Sequence, residues 1–342
     1  MNATRVTAVL VFLATAPWVG AQSAAVTPVR ELHASCNSCS QPAVMQVVVP
    51  QAIWTGSLLR VVMVIDPPIA SAQVSLRDEA TSLARASAFR ANGQEPIWAA
   101  LLGVPDWLDG GGYRLHVEAT GTDGGRLVFE ERLTVHARRF AEVRITLDSA
   151  LTTLRSDTSP QRRAQQESLG RLLATARLDA VYHTAALRLP VTLESMRRSS
   201  GYGDRRTFLY SNGTTAASTH WGVDLACPAG TAVHAPAAGK VVFAAERLVT
   251  GLTIVLEHLP GVYSLYYHLS LIGVSVDAMV APGDLLGEVG STGVATGPHL
   301  HWEVRAGQVP IDPDELLGAP LLDIPASALT IGVSQVSDPG GR

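Results

Sequence analysis

Hydrophobic positions along the chain change period twice. Between residues 43 and 147 they fall in short β-branched runs, 44–49 and 58–65, and then in alternating segments at 113–117, 127–135 and 143–147. Asp109-Gly110-Gly111-Gly112 and Asp123-Gly124-Gly125 punctuate these runs as turns. Short strands at this spacing predict an antiparallel β-sandwich over 43–150, immunoglobulin-like in outline. From 156 to 189 the period becomes helical. Leu169, Leu172, Leu173 and Ala176 recur on one face, Ser159 is placed to cap, and Pro160 suits a first helical position. This predicts an amphipathic helical connector over 151–190. Strands return over 191–318 and a loose tail follows at 319–342. The predicted class is therefore mainly β: a sandwich, a helical connector and a C-terminal antiparallel β-sheet domain.

The first 21 residues read as an address. Arg5 precedes an apolar run at 6–16, and Val19-Gly20-Ala21 follows. This is the pattern of a secretory signal peptide cut before Gln22. The run is too short to span a bilayer comfortably, and no later apolar stretch is long enough, so the mature chain is expected to lack a transmembrane helix. The expected location is the periplasm or the exterior.

Composition narrows the classes further. Of 342 residues, 47% are hydrophobic and 16% charged, which rules out wholesale disorder. The formal net charge is −4, and Lys240 is the single lysine. That balance argues against nucleic acid as a partner and against polybasic docking to a membrane. In the 22–42 segment, Cys36-Asn37-Ser38-Cys39 lacks the βαβ context of a thioredoxin motif and cannot fill a four-ligand zinc site. The reading favours a local Cys36–Cys39 disulfide in an oxidising compartment, with Cys227 a small buried residue.

Six of the ten histidines lie between 220 and 301. His220-Trp221-Gly222-Val223-Asp224 places an imidazole and a carboxylate on one face of an extended segment, and both are good zinc ligands. Alone the pair is as readily a surface hydrogen bond. His299-Leu300-His301-Trp302-Glu303 follows a loop at 290–298 and alternates. Leu300, Trp302 and Val304 point one way and His299, His301 and Glu303 the other. Two imidazoles on one strand face form a stronger metal signal than one. Glu303 is either a partner of a ligand imidazole or a solvated carboxylate. In Tyr266-Tyr267-His268-Leu269, alternation puts Leu265, Tyr267 and Leu269 on one face and Ser264, Tyr266 and His268 on the other. Lone histidines such as His116, His136, His234 and His258 read as structural.

In order, the motifs are H-x-x-x-D, Y-x-H-L and G-x-x-T-G-P-H-L-H-W-E. Together with Gly201-Tyr202-Gly203-Asp204-Arg205 and the segment 230–242, they resemble the lysostaphin/LytM-type zinc metallopeptidases, peptidoglycan endopeptidases, over roughly residues 199–314. The resemblance implies that His220, Asp224 and His301 bind one Zn2+ per chain and that His268 and His299 are catalytic. Three protein ligands leave a fourth position open, as in catalytic zinc sites. It further implies peptidoglycan stem peptides as substrate and groove walls at 211–219 and 290–298, with Tyr210 a candidate by proximity. The chain lacks an H-E-x-x-H helix and a G-x-S-x-G elbow, the marks of two other hydrolase classes. The competing expectation is a non-catalytic or autoinhibited cell-wall-binding regulator of other hydrolases. Such relatives have lost metal ligands, whereas all five site residues stand here. A protein partner is expected, if anywhere, on the N-terminal domain.

Overall fold

The structure, a computed structural model, describes residues 7–8, 29–36, 43–50, 52–66, 68–79, 81–91 and 97–324. Cys39 of the expected disulfide and all of the expected leader except residues 7–8 lie outside the described residues. The chain forms two compact units, one of residues 1–137 with 322–342 and one of residues 138–321. It is built mainly of β-strands. Among the described residues no helix is long and apolar enough to cross a membrane.

The first unit holds two sheets. One orders Val29–Cys36, Ala43–Pro50, Leu58–Asp66 and Ile97–Gly103 side by side; the other orders Arg126–His136, Gly111–Gly121, Ile69–Asp78 and Thr81–Ser87. Gly111–Gly121 and Arg126–His136 are joined by the expected Asp123-Gly124-Gly125 turn, with Gly124 at φ +82°. Leu115, Val117 and Ala119 alternate with polar neighbours and are fully buried, as period-2 burial requires. His116 bonds Glu130 at 2.9 Å, and the His136 ring rests on Trp54 at 4.8 Å. Nothing in the strand order adds to the immunoglobulin-like outline.

In the second unit, the segment expected to close the sandwich at 143–147 pairs elsewhere. Glu142–Thr146 lies parallel to Arg205–Leu209, which is antiparallel to Thr215–Thr219. Residues 211–219, expected as a groove wall, are thus a turn and a strand of a hairpin. The larger sheet runs Arg197–Ser200, Val223–Ala226, Leu300–Ala306, Val262–Ile272, Gly251–Leu259, Gly239–Arg247 and Met279–Val280.

Two of this unit's helices precede its larger sheet in the chain. Ser149–Ser156 is capped by Asp148, whose carboxylate accepts from the Leu151 N–H. Pro160–Ala174 is capped by the Ser159 hydroxyl, with Pro160 at the helix start. Leu169 and Leu173 bury against Val255, Tyr263, Leu265 and Tyr267 of the sheet. The helix ends at Ala174, short of the 189 predicted. Beyond it, the Tyr182 and His183 N–H groups donate to the His258 carbonyl, so these residues dock on the sheet instead of extending the helix. At the other end Leu321 and Leu322 are buried, where the sequence suggests a loose tail.

Candidate metal centre

Strand register brings the first donors together. Asp224 stands directly opposite His301 across the Val223–Ala226 and Leu300–Ala306 strands, and Tyr267 opposite His301 on the other side. Gly222 makes the approach to this pairing feasible. A Cβ there would lie 2.4 Å from the Trp302 carbonyl oxygen and 2.8 Å from Glu303 Cγ. His220, four residues before Asp224, closes the group. His220 Nε2 lies 3.0 Å from Asp224 Oδ1 and 2.8 Å from His301 Nδ1, and His301 Nδ1 lies 2.8 Å from Asp224 Oδ1. All three residues are buried.

The far side of each donor is held. His220 Nδ1 donates to the Gly201 carbonyl at 2.6 Å, which leaves the Nε2 lone pair facing the centre. His301 Nε2 faces Glu303 Oε1 at 3.0 Å, and Glu303 is gripped in turn by Arg305 at 2.7 Å. Asp224 directs Oδ2 to the Arg206 guanidinium at 2.5 Å, and Arg206 also bonds Ser200. Two imidazole nitrogens and a carboxylate oxygen, convergent, buried and backed in this way, fit a divalent cation of borderline softness. The His301 ring lies flat on the Tyr267 ring, with centroids 5.1 Å apart.

The electrostatics follow from the same contacts. Burial alone opposes ionisation of Asp224, but the close approach of His220 and His301 holds its carboxyl well below the usual range. Burial likewise opposes the Glu303 charge, yet Arg305 and His301 bring its pKa down to about 2. Burial pushes His220 down. It pushes His268 to about 3, helped by its His299 and His301 neighbours. His268 is therefore a neutral imidazole at working pH.

His268 and His299 flank the donor group. Their ring centroids lie 4.8 Å apart, and His268 is 6.2 Å from the His301 ring. His268 Nδ1 donates to the Thr292 carbonyl at 2.7 Å and His299 Nδ1 to the Gly297 carbonyl at 2.8 Å. A carbonyl only accepts, so Nδ1 of each ring carries a proton and Nε2 is the nitrogen each presents to the cavity. His268 departs from the alternation expected of its strand. Its φ is +62°, in the left-handed region, and the register slips beside it between Leu252 and Ile254. That bulge turns His268 out of the Ser264–Tyr266 face and into the cavity that Tyr267 also lines.

The cavity has a volume of about 660 Å³. One wall is the sheet with His220, Asp224, His268, His299 and His301. Ser218, Thr219 and 294–296, from the two expected wall segments, line it as well. A further wall was not expected: Arg155, Arg162 and Gln165 come from the two helices.

This arrangement has close relatives in sequence. The profile of Peptidase family M23 matches residues 218–313. This C-terminal part of the chain is a peptidase family M23 domain. Over 94 residues, 28% of this chain and 22% of the relative, it is 42% identical to the DD-carboxypeptidase/endopeptidase Mpg of Neisseria meningitidis serogroup B. Over 125 residues, 36% of this chain and 29% of the relative, it is 33% identical to the peptidoglycan DD-endopeptidase ShyB of Vibrio cholerae serotype O1. The matched stretch thus spans less than a third of these curated relatives. A crystal structure assigned to peptidase M23 from Pseudomonas aeruginosa shares the fold. Its TM-score is 0.55 at 24% identity, covering 78% of this chain and 94% of that one.

The M23 domain brings all five sequence-selected residues to one place. It leaves others out. His234 bonds the Gly283 carbonyl, and His258 is wholly buried between the Ala238 carbonyl and the Ser264 hydroxyl. Tyr210 opens a tight turn, its N–H donating to Thr214, and does not line the cavity. Glu303 turns out to be the buried partner of His301. Arg206 was missed. Its only signal is its place one residue beyond the Gly201–Arg205 motif, and its contact with Asp224 spans 18 positions.

Proposed function

We propose that this protein is an exported zinc metallo-endopeptidase that hydrolyses peptide cross-links of bacterial peptidoglycan. The observation that carries the reading is completeness: three converging donors, each backed by a hydrogen-bond partner, with the Nε2 atoms of two further imidazoles flanking them. Two imidazoles in the donor set favour zinc over magnesium or calcium, which prefer all-oxygen sites. Similarity to a peptidoglycan DD-endopeptidase and to a DD-carboxypeptidase/endopeptidase supports cross-linked stem peptides as substrate.

Bound there, zinc would supply Lewis-acid polarisation of the scissile carbonyl and would acidify a water molecule. The chain's own residues do the rest. Glu303 and the Gly201 carbonyl fix the ligand tautomers, and Arg206 aims Asp224. Of the pair His268 and His299, one accepts the proton of the attacking water. The other stabilises the developing oxyanion once it carries a proton. Their Nδ1–H bonds to Thr292 and Gly297 keep both Nε2 atoms aimed.

The test is mass spectrometry of purified cross-linked muropeptide dimers incubated with the chain. Monomers that appear with zinc and cease with a chelator are expected. Intact dimers in the presence of zinc-loaded protein would favour a binding regulator.

A further inference from the structure

The cavity holds more positive charge than its acids neutralise. Arg206 is paired with Asp224 and Arg305 with Glu303. Arg155, Arg162 and Arg247 line the same cavity without an ion-pair partner among the described residues. Arg155 lies over the Phe208 ring at 3.8 Å, and its Nε is buried without a hydrogen-bond partner. Arg162 donates only to main-chain carbonyls, of Arg155 at 2.5 Å and Asp157 at 2.6 Å. Arg247 is nine-tenths buried and reaches the Gln165 carbonyl and the Thr250 hydroxyl, both at 3.3 Å. The nearby Asp157 carboxylate accepts from Ser159 and also feels the Arg162 and Arg163 charges.

Five guanidinium groups here face the carboxylates of Asp224 and Glu303, with Asp157 beside Arg162, so positive charge exceeds negative. Burial lowers the pKa of Arg155, and the charges of Arg162 and Arg206 lower it further. Burial also lowers that of Arg247. An anion beside Arg155 and Arg162 relieves both their mutual repulsion and the orphaned donor of Arg155. Planar guanidinium groups bind carboxylates well, because two parallel N–H groups match two oxygens.

We infer that the helical wall of the groove is a carboxylate-binding subsite, in which Arg155 and Arg162, with Arg247 from the sheet, hold a carboxylate of an acidic peptide substrate. The inference rests on the endopeptidase reading for the identity of that peptide. It gives residues 149–174 a role in specificity beyond packing on the sheet of their own unit. The carboxylate is either the peptide's own C-terminus or an acidic side chain, and the chemistry is shared.

The experiment compares steady-state kinetics of the zinc-loaded full chain on three forms of a cross-linked muropeptide dimer. One has free carboxylates, one is amidated at the C-terminus, and one is amidated at its side-chain carboxyls. Arg162→Gln is expected to raise KM on the free dimer about tenfold or more with little change in kcat. One amidated form is expected to show a raised KM in the wild type and no further rise in the variant, which names the carboxylate. Arg163→Gln, at an exposed position on the same helix, serves as control. Because Arg155 packs on Phe208, Arg155→Lys is paired with Arg155→Gln, and recovery of KM by lysine separates charge from folding. An unchanged KM in Arg162→Gln, or an equal rise on all three substrates, overturns the subsite. If the wild type cleaves no dimer, the endopeptidase reading fails by itself. Calorimetric binding of free and amidated muropeptide monomers then decides the subsite. A preference for the free form that Arg162→Gln abolishes upholds it, and equal binding overturns it.

Discussion

His301 turns one ring nitrogen to Asp224 at 2.8 Å and the other to Glu303 at 3.0 Å, so a single imidazole spans two buried carboxylates. The first contact belongs to the centre and the second sets the ring. With Glu303 accepting from Nε2, Nδ1 is left as the donor atom toward a cation.

Glu303→Gln tests that relay. The amide keeps the shape of the side chain but removes the charge that orients and enriches the His301 ring. It also leaves Arg305 unpaired. Zinc affinity, read by competition with a chromophoric chelator, is expected to fall roughly 10- to 100-fold. Unaltered affinity would mean that Glu303 is only packing.

His268 combines strain with chemistry, and two substitutions separate them. At φ +62° a side chain costs energy that glycine does not pay. His268→Gly is therefore expected to unfold at higher denaturant than His268→Ala, by about 1 kcal/mol. Both are expected to lose turnover by roughly 10²-fold or more. Equal stability of the two would remove the strain argument, and retained turnover would remove the chemical one.

The buried His258 predicts a pH dependence of stability. Burial takes its pKa from 6.5 to about 4, the Ala238 carbonyl opposing the fall and His183 adding to it. Below pH 6.5 the unfolded chain takes up a proton that the folded chain refuses. The stability His258 contributes is thus complete above pH 6.5 and is lost as pH falls through about 4. The full effect is at most about 3 kcal/mol. Urea midpoints between pH 7 and pH 4 are expected to fall more steeply in the wild type than in His258→Gln. Parallel slopes would contradict the assignment.

Much of the site was legible because it is carried by short-range pattern. Alternation in 299–304 put Leu300, Trp302 and Val304 in the core, and all three are fully buried. It also set His301 and Glu303 on one face, where they bond. The Ser159 cap and Pro160 start of the second helix were legible for the same reason. What was not legible depends on contacts distant in sequence or on backbone geometry. Arg162 reaches the cavity on a helix that docks on Tyr263 and Tyr267, about a hundred positions on, and Arg155 reaches it from the helix before. No spacing reports that docking. His268 leaves its expected face through a left-handed residue in a strand, which no hydrophobic pattern encodes. The 143–147 segment alternates as any strand does, and alternation does not name its partner sheet.

The assignment of ligands and reacting groups is tested most directly by measuring metal content and turnover together in His301→Ala and His299→Ala. One zinc per chain and full turnover are expected in the wild type. His301→Ala is expected to lose both zinc and turnover. His299→Ala is expected to keep its zinc and lose turnover by roughly 10²-fold or more. Full zinc stoichiometry in His301→Ala, or wild-type turnover in His299→Ala, would contradict the account.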